Sequence, residues 1–440
     1  MLIALGIFFF VLLVVVHEWG HFLAARRNGV EVEEFGIGFP PPRLWARKSK
    51  KDKTVYTINL IPLGGFVKLK GEFSEDKRPN SYGATSLWVK TKITLAGVSM
   101  NFLAAALIFT ILAIIGMPQM VDNQYNVDWN QRSHTTRVLA GFILEDSPGD
   151  KAGIERGDEI LFINDIKISS PEVLLETTEA LAGQEVTIEF EQEKVNKKES
   201  VTLNRNFNNG FLAINVEDDL TVSDVKENDS GAKAGILVGD KIDSLNSNPV
   251  TTKDELFELS KQYSESKVDI GIVRDGQGVN LSADLNEFGQ VPQLGVGPAK
   301  AEVVKYGVTA PIVGVGTTVQ MTALTVQGLW NLVTDVFNGD FKEAGSQVTG
   351  PVGVVTIIKD FSTFGIAFVL FLIAIISIAL GVMNSLPIPP LDGGRLALTA
   401  TYRALKKPLT QATEEKVLTV GYLALIALII VITFLDIKRL

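Results

Sequence analysis

Cysteine is absent from the 440 residues, which excludes disulfides, thiolate metal sites and cysteine nucleophiles and leaves the redox compartment unread. Histidine is nearly absent as well, with three in the chain. Charge is scarce: 21% of residues are charged against 46% in the hydrophobic set, and a mean hydropathy of +0.23 is high for a soluble domain of this size. A net charge of −9 and an isoelectric point near 5.1 lack the basic excess of a nucleic-acid binder, so no nucleic-acid partner is expected. What remains is a membrane protein with a soluble portion, long enough for two to four domains.

Apolar runs supply the spans. The first covers residues 1–25 and stops at Arg26 and Arg27; at about 1.5 Å per residue it can cross a bilayer. With no basic residue before it and no small-residue cleavage site after it, it reads as a retained span rather than a signal peptide. Further spans are expected at 93–118, 364–394 and 416–436. Lysine and arginine crowd the loop 26–92 ("ARKSKKDK", then Lys68, Lys70, Lys77, Arg78, Lys90, Lys92) and return at Arg395, Arg403, Lys406, Lys407 and Lys416. The positive-inside rule makes these two loops cytoplasmic and puts both termini and the region between spans two and three on the opposite face. Within that region, 303–350 is fairly apolar but interspersed with Gly, Thr, Gln and Pro, and is expected to lie on the membrane surface as an amphipathic segment.

Two passages match in register: "EDSPGDKAGIERGDEILFINDIKI" (Glu145 to Ile168) and "ENDSGAKAGILVGDKIDSLNSNPV" (Glu227 to Val250). Ala152, Gly153, Gly157, Asp158 and Asn164 of the first correspond to Ala234, Gly235, Gly239, Asp240 and Asn246 of the second, the mark of a duplicated domain. The pattern resembles the PDZ domain, so two tandem α+β domains are expected at 122–218 and 219–300. Such domains can bind extended peptides at a sheet edge; rigid covers that hold no peptide are an equally good reading.

The stretch "VVVHEWGHFLAARR" holds two of the three histidines. Residues four apart share a helix face, so His17 and His21 can bind one metal ion with Glu18 beside it. Neutral imidazoles suit zinc, and two of them plus one further protein ligand leave a position for water. The metal acidifies that water and Glu18 can take its proton. Gly20 would let another backbone approach closely. A pair of core histidines is the bland alternative, but ionisable groups inside a span are costly and usually functional. His134, in a polar stretch, reads as a solvated residue.

A third ligand must then be a carboxylate at the same depth, about 7–13 Å above Arg26. In "MNSLPIPPLDGGRL", Pro387, Pro389 and Pro390 break the third span, and Asp392 follows, just before Gly393 and Gly394. Such a break is tolerated at membrane depth where protein or a cavity surrounds it. Were 303–350 a crossing, Asp392 would lie on the face opposite the histidines.

Together "HEWGH", "NSLPIPPLDGG" and the repeats between spans two and three resemble the site-2 protease family of intramembrane zinc metallopeptidases, over essentially the whole chain. The resemblance implies Zn²⁺ held by His17, His21 and Asp392, with Glu18 as catalytic acid/base. It also implies that Asn384, Pro387 and Pro389 help bind substrate, and that "INLIPLGGFVKL" is similar to the family's membrane-reentrant β-loop near 55–70. From its residues that passage reads as a strand, a Pro-Gly-Gly turn and another strand, in which Gly64, Gly65, Phe66 and Val67 would offer an edge to an unwound substrate helix. Trp19 stands where the family commonly has Phe.

The expected molecule is thus a multi-domain membrane protein: an α-helical four-span core with a reentrant β-loop, and two PDZ-like domains outside the membrane. The family implies single-pass membrane substrates, such as trimmed anti-sigma factors and remnant signal peptides, in a bacterial inner membrane. The rival readings are a scaffold that presents PDZ domains around a structural metal, and a zinc transporter.

Overall fold

The computed structural model describes residues 2–439 apart from short stretches, the longest being 226–229, 286–292 and 340–347. The helices in chain order are α1 (Leu2–Arg27), α2 (Leu87–Ile115), α3 (Pro148–Lys151), α4 (Pro171–Ala180), α5 (Ser230–Ala234), α6 (Lys253–Gln262), α7 (Ala310–Asn338), α8 (Pro351–Thr363), α9 (Ile366–Ser385), α10 (Asp392–Ala404) and α11 (Gln411–Arg439). The strands are β1 (Val32–Lys48), β2 (Val55–Leu69), β3 (Met117–Pro118), β4 (Gln131–Ile143), β5 (Glu159–Ile163), β6 (Ile166–Lys167), β7 (Glu185–Gln192), β8 (Val195–Thr202), β9 (Phe207–Asn209), β10 (Ile214–Val216), β11 (Val222–Val225), β12 (Lys241–Leu245), β13 (Asn248–Pro249), β14 (Lys267–Arg274), β15 (Gln277–Asp284) and β16 (Val296–Tyr306). Two compact units result, one from Met1–His134 with Val303–Leu440 and the other from Thr135–Glu302.

The first unit is helical. α2 starts where Ser86 caps Val89 N–H and ends at Gly116, whose φ is 145°. Its small and aromatic face, Ala105, Phe109, Leu112 and Ala113, packs on Phe371, Ala374 and Ile378 of α9. α1 adds Leu13 against Val369 and Ile373 of α9. α9 stops at Ser385, before the prolines expected to break the third span, which cannot continue a helix, and α2 starts at Leu87, earlier than the expected 93.

Five described helices, rather than the four counted from sequence, are long and apolar enough to cross a membrane: α7 joins α1, α2, α9 and α11. The face of α7 that carries Ala310, Val313 and Met321 packs into the core that α2 and α9 share. Residues 340–347 of the 303–350 segment lie outside the described residues.

Between α1 and α2, β1 and β2 bend so that each pairs twice. Val32–Ile37 runs antiparallel to Gly65–Leu69, Arg43–Lys48 runs antiparallel to Val55–Asn59, and Glu34–Ile37 lies beside Val55–Ile58 with residue numbers rising together. The order is therefore 43–48, 55–59, 32–37, 65–69. The segments either side of Pro62–Gly65 do not pair with each other, because the first half of β1 lies between them. Residues 65–69 are left as an edge strand.

The second unit has two cores. Val138, Ile160, Ile163, Val186, Ile188 and Phe190 enclose one, which also takes Leu294 and Val296 from beyond the second repeat. Leu212, Ile214, Ile242, Leu245, Ile270 and Leu285 belong to the other. The chain leaves the first core at Asn204 and returns at Gln293, and the Asn204 N–H donates to Gln293 O at 3.0 Å. The repeats are therefore nested, not consecutive with a boundary near 218, since β16 completes the first core. Residues 145–146 and 227–229 of the repeat motifs lie outside the described residues. The rest behave alike in both copies. Asn164 (φ 52°) and Asn246 (φ 47°) both adopt left-handed backbone; Asn164 Oδ1 accepts Thr187 N–H at 2.9 Å and Asn246 Oδ1 accepts Asp269 N–H at 2.8 Å. Asp158 and Asp240 each accept the backbone N–H three residues earlier, both at 2.7 Å.

Candidate metal centre and active site

His17 Nε2, His21 Nε2 and Asp392 Oδ2 form a triangle with sides of 3.1, 3.0 and 3.1 Å. Sequence separation between the histidines and the aspartate is 375 residues for His17, so the fold alone brings them together. Tetrahedral ligands about 2.05 Å from a zinc ion lie about 3.3 Å apart, close to these sides, and three ligands leave one position open.

The outer nitrogens decide whether both imidazoles present lone pairs. His21 Nδ1 donates to Ile93 O at 2.8 Å, leaving Nε2 free to ligate. His17 Nδ1 lies 3.2 Å from the side-chain amide of Asn101, whose buried Oδ1 has no partner as oriented. Amide oxygen and nitrogen interchange by a half-turn; so turned, Oδ1 accepts the Nδ1 proton of His17 and its Nε2 is free as well. The donor set thus fits a zinc ion. Ser377 Oγ of α9 donates to Asn101 O at 2.9 Å, fixing that turn of α2.

Close helix approach sets the histidines in place. A β-carbon on Gly20 would lie 2.4 Å from Ala96 O, and one on Gly97 would lie 2.4 Å from His21 Nε2. The approach expected at Gly20 is therefore made by α2. Asp392 opens α10, and the chain reaches it by folding back so tightly that a β-carbon on Gly393 would meet Ser385 O at 2.4 Å. Trp19 stacks on Phe22 with centroids 5.0 Å apart and meets Phe35 of β1 edge-on, so the indole is used in packing against the sheet.

Glu18 faces the edge strand. The Val67 N–H donates to its carboxylate, and a β-carbon on Gly65 would lie 3.5 Å from Glu18 Cγ. Gly64 is buried near Val14, and Phe66 stacks on Phe39 with centroids 6.2 Å apart. Gly64, Gly65, Phe66 and Val67 are thus gathered beside α1. Asn384 stands one residue before the end of α9, and Pro387 and Pro389 lie in the loop that leads to Asp392; no hydrogen bond among the described ones joins Asn384 to the triangle. His134 is exposed on β4 and is no member of it.

Sequence reasoning passed over Arg395. Its Nη2 donates to Glu72 O at 2.5 Å and its Nε to Glu414 Oε1 at 3.3 Å, tying the first turn of α10 to α11 and to the end of the β-sheet. The signal was present, since Arg395 stands three residues after Asp392, but it reads as one more cytoplasmic cation.

Comparison with known proteins adds an independent line. The profile of Peptidase family M50 matches residues 5–428. A Vibrio cholerae protein named as a candidate zinc metalloprotease is 27% identical, with all of this chain aligned to 98% of that protein. Regulator of sigma-E protease RseP of Salmonella typhimurium and of Escherichia coli are each 27% identical over 100% of this chain and 98% of their own length. A solved structure of the HtrA-type protease AlgW with decapeptide covers 16% of this chain at 26% identity, with a TM-score of 0.15.

Proposed function

This chain belongs to peptidase family M50 and is a zinc metalloprotease, and from that premise we propose that it cuts single-pass membrane proteins within or near their spans, close to the cytoplasmic face. The observation that carries this reading is the triangle of His17, His21 and Asp392, two members of which stand on a helix apolar enough to cross a membrane.

Zinc held by these three residues supplies the Lewis acidity that makes a water nucleophilic near neutral pH. Glu18 takes the proton from the attacking water and hands it to the leaving amine, and the Val67 N–H orients its carboxylate for that task. Asn101 and Ile93 O hold the imidazole tautomers. The substrate problem is structural: a membrane helix hides each peptide bond behind its own hydrogen bonds. An unwound segment that adds to the free edge of Gly65–Leu69 regains those bonds in a dry site. Asn384, Pro387 and Pro389 would contact the bound segment, as the family resemblance implies.

Four crossings remain our reading. Tyr306 and Ala310, which precede and open α7, pack beside Met117 at the far end of α2. Gly350, before α8, donates to Asp436 at the far end of α11. Both ends of the 303–350 segment thus lie on one side, which supports a surface helix. Termini and nested domains then face the periplasm. The relatives' names, regulator of sigma-E protease, support a place in the sigma-E pathway, and the family resemblance suggests trimmed anti-sigma factors of the envelope stress response as substrates, with remnant signal peptides a second class. The nested domains act as a filter that admits only substrates already trimmed.

The test is cleavage of a truncated single-pass substrate by wild type and Glu18→Gln, with zinc measured in both. The variant should keep about one zinc per chain and lose roughly 10²–10⁴ in rate; equal processing by both removes Glu18 from the chemistry.

A further inference from the structure

The edge strand Gly65–Leu69 carries, at its far end, a carboxylate that the metal chemistry does not use. Along a strand, successive residues turn their N–H groups to opposite sides. Lys70, the next residue, donates its N–H across the sheet to Glu31 O at 2.9 Å, so the N–H groups of Val67 and Leu69 turn to the open side. Both are taken: Val67 N–H donates to the Glu18 carboxylate, and Leu69 N–H donates to Glu72 Oε1 at 2.9 Å.

Glu72 is in turn held from α10. Its backbone oxygen accepts from Arg395 Nη2 at 2.5 Å, and its Oε2 lies 3.9 Å from Arg395 Nη1. The guanidinium is itself fixed, because its Nε donates to Glu414 Oε1 at 3.3 Å, a fully buried carboxylate, and its carbon lies 5.4 Å from the Tyr82 ring centroid. Arg395 follows Asp392 by three residues in α10, which places both on one face of the helix. The edge strand is therefore pinned twice. Val67 ties it to the helix that carries His17 and His21, and Leu69 ties it, through Glu72 and Arg395, to the helix that carries Asp392.

The geometry points to a clamp, Glu72 with Arg395, that sets the register of the substrate strand against the zinc ligands, so that one peptide bond is presented for attack. This rests on the reading of Gly65–Leu69 as the edge to which substrate adds. A bound strand that slides along this edge must move two residues to keep the same side chains toward α1. The Leu69 N–H that such a slide would reach is occupied by Glu72, so the usable edge stops before it. Through Arg395, that stop is held in place relative to Asp392. Neither side chain touches the reacting atoms, so both are positioning residues, and loosening them costs turnover rather than binding.

The test uses the full chain in detergent with a truncated single-pass substrate, measuring zinc content, kcat and KM, and reading the new termini by mass spectrometry. Wild type should cut mainly at one bond. E72A removes a partly exposed side chain and frees Leu69 N–H; it should keep about one zinc per chain and the wild-type KM, lose roughly tenfold in kcat, and add cuts two bonds away from the main one. E72Q keeps an oxygen for Leu69 N–H and should restore the single cut. R395A severs the other link and should add the same cuts as E72A. A role in folding alone would lower zinc content or stability without moving the cut. The wild-type cut pattern in E72A, zinc loss in E72A, or a pattern that E72Q fails to restore overturns the clamp while wild-type cleavage keeps the protease reading. No cleavage by wild type overturns that reading and the clamp with it.

Discussion

A methyl group at Gly97 has nowhere to go except toward His21, whose Nε2 would lie 2.4 Å from it. Gly97→Ala should therefore displace a ligand without removing one, and zinc affinity should fall roughly 10–100-fold, as for other losses of support around a metal ligand. Chelator competition measures it; unchanged affinity would mean that the helices can part. Asn101→Leu removes the acceptor for His17 and should fall in the same range, whereas Asn101→Asp restores an acceptor and should not. At this scale the sequence was most legible where chemistry demands a spacing. His17 and His21 announce themselves by a four-residue interval, and Asp392 by depth. Gly97 and Arg395 did not, because a glycine in an apolar run and a cation after a span look ordinary until the partner helix is present.

Strands were harder to foresee than helices, and β1 and β2 show why. A strand, a Pro-Gly-Gly turn and a second strand were legible, but not their partners, because pairing in a sheet is chosen by non-local contacts, and here the first half of β1 fills the middle. The edge that results can be tested through one atom. The Val67 N–H serves Glu18, and proline is tolerated on an edge strand where the missing N–H faces away from the ladder. Val67→Pro should keep zinc and fold but lose about 10–100-fold in turnover, the worth of a hydrogen bond to a charged group. Zinc loss, or full activity, would contradict an edge strand that orients Glu18. Helices α1, α2, α9 and α11 came close to their expected runs because composition alone marks them. α7 differed, since an amphipathic helix of 29 residues meets the length and apolarity of a span whatever its depth.

Across the whole molecule, duplication was visible in sequence but nesting was not, because nesting depends on which core the strand after the second repeat joins. The two copies have since diverged electrostatically. Asp240 is held by Arg274 at 2.6 Å, and that guanidinium keeps its carboxyl below the usual range; Asp158 in the first copy meets Gln192 instead, at 2.8 Å, and burial raises it. A carboxylate with a lowered folded pKa contributes stability that is complete above its unfolded value, near 4, and is lost as pH falls through the folded value. Arg274→Gln should destabilise the inner domain by roughly 1.5–3 kcal/mol at neutral pH, seen as faster hydrogen exchange in β12–β15, with the difference shrinking in acid and the outer core unaffected.

Nesting also says where the soluble unit can be cut. Asn204 and Gln293 are already hydrogen-bonded at 3.0 Å, so joining them and removing 205–292 deletes one core while β16 still completes the other. Such a protein should bind zinc and cleave a trimmed substrate at the wild-type rate, because nothing in the triangle or the edge strand is touched. If the nested domains filter substrates together, it should also accept substrates that keep a bulky outer domain, which the intact chain rejects. Retained rejection would assign the filter to the outer core or remove the filter altogether, and excising Thr135–Glu302 separates those two outcomes: rejection that survives even this larger deletion leaves no role for either domain in selection.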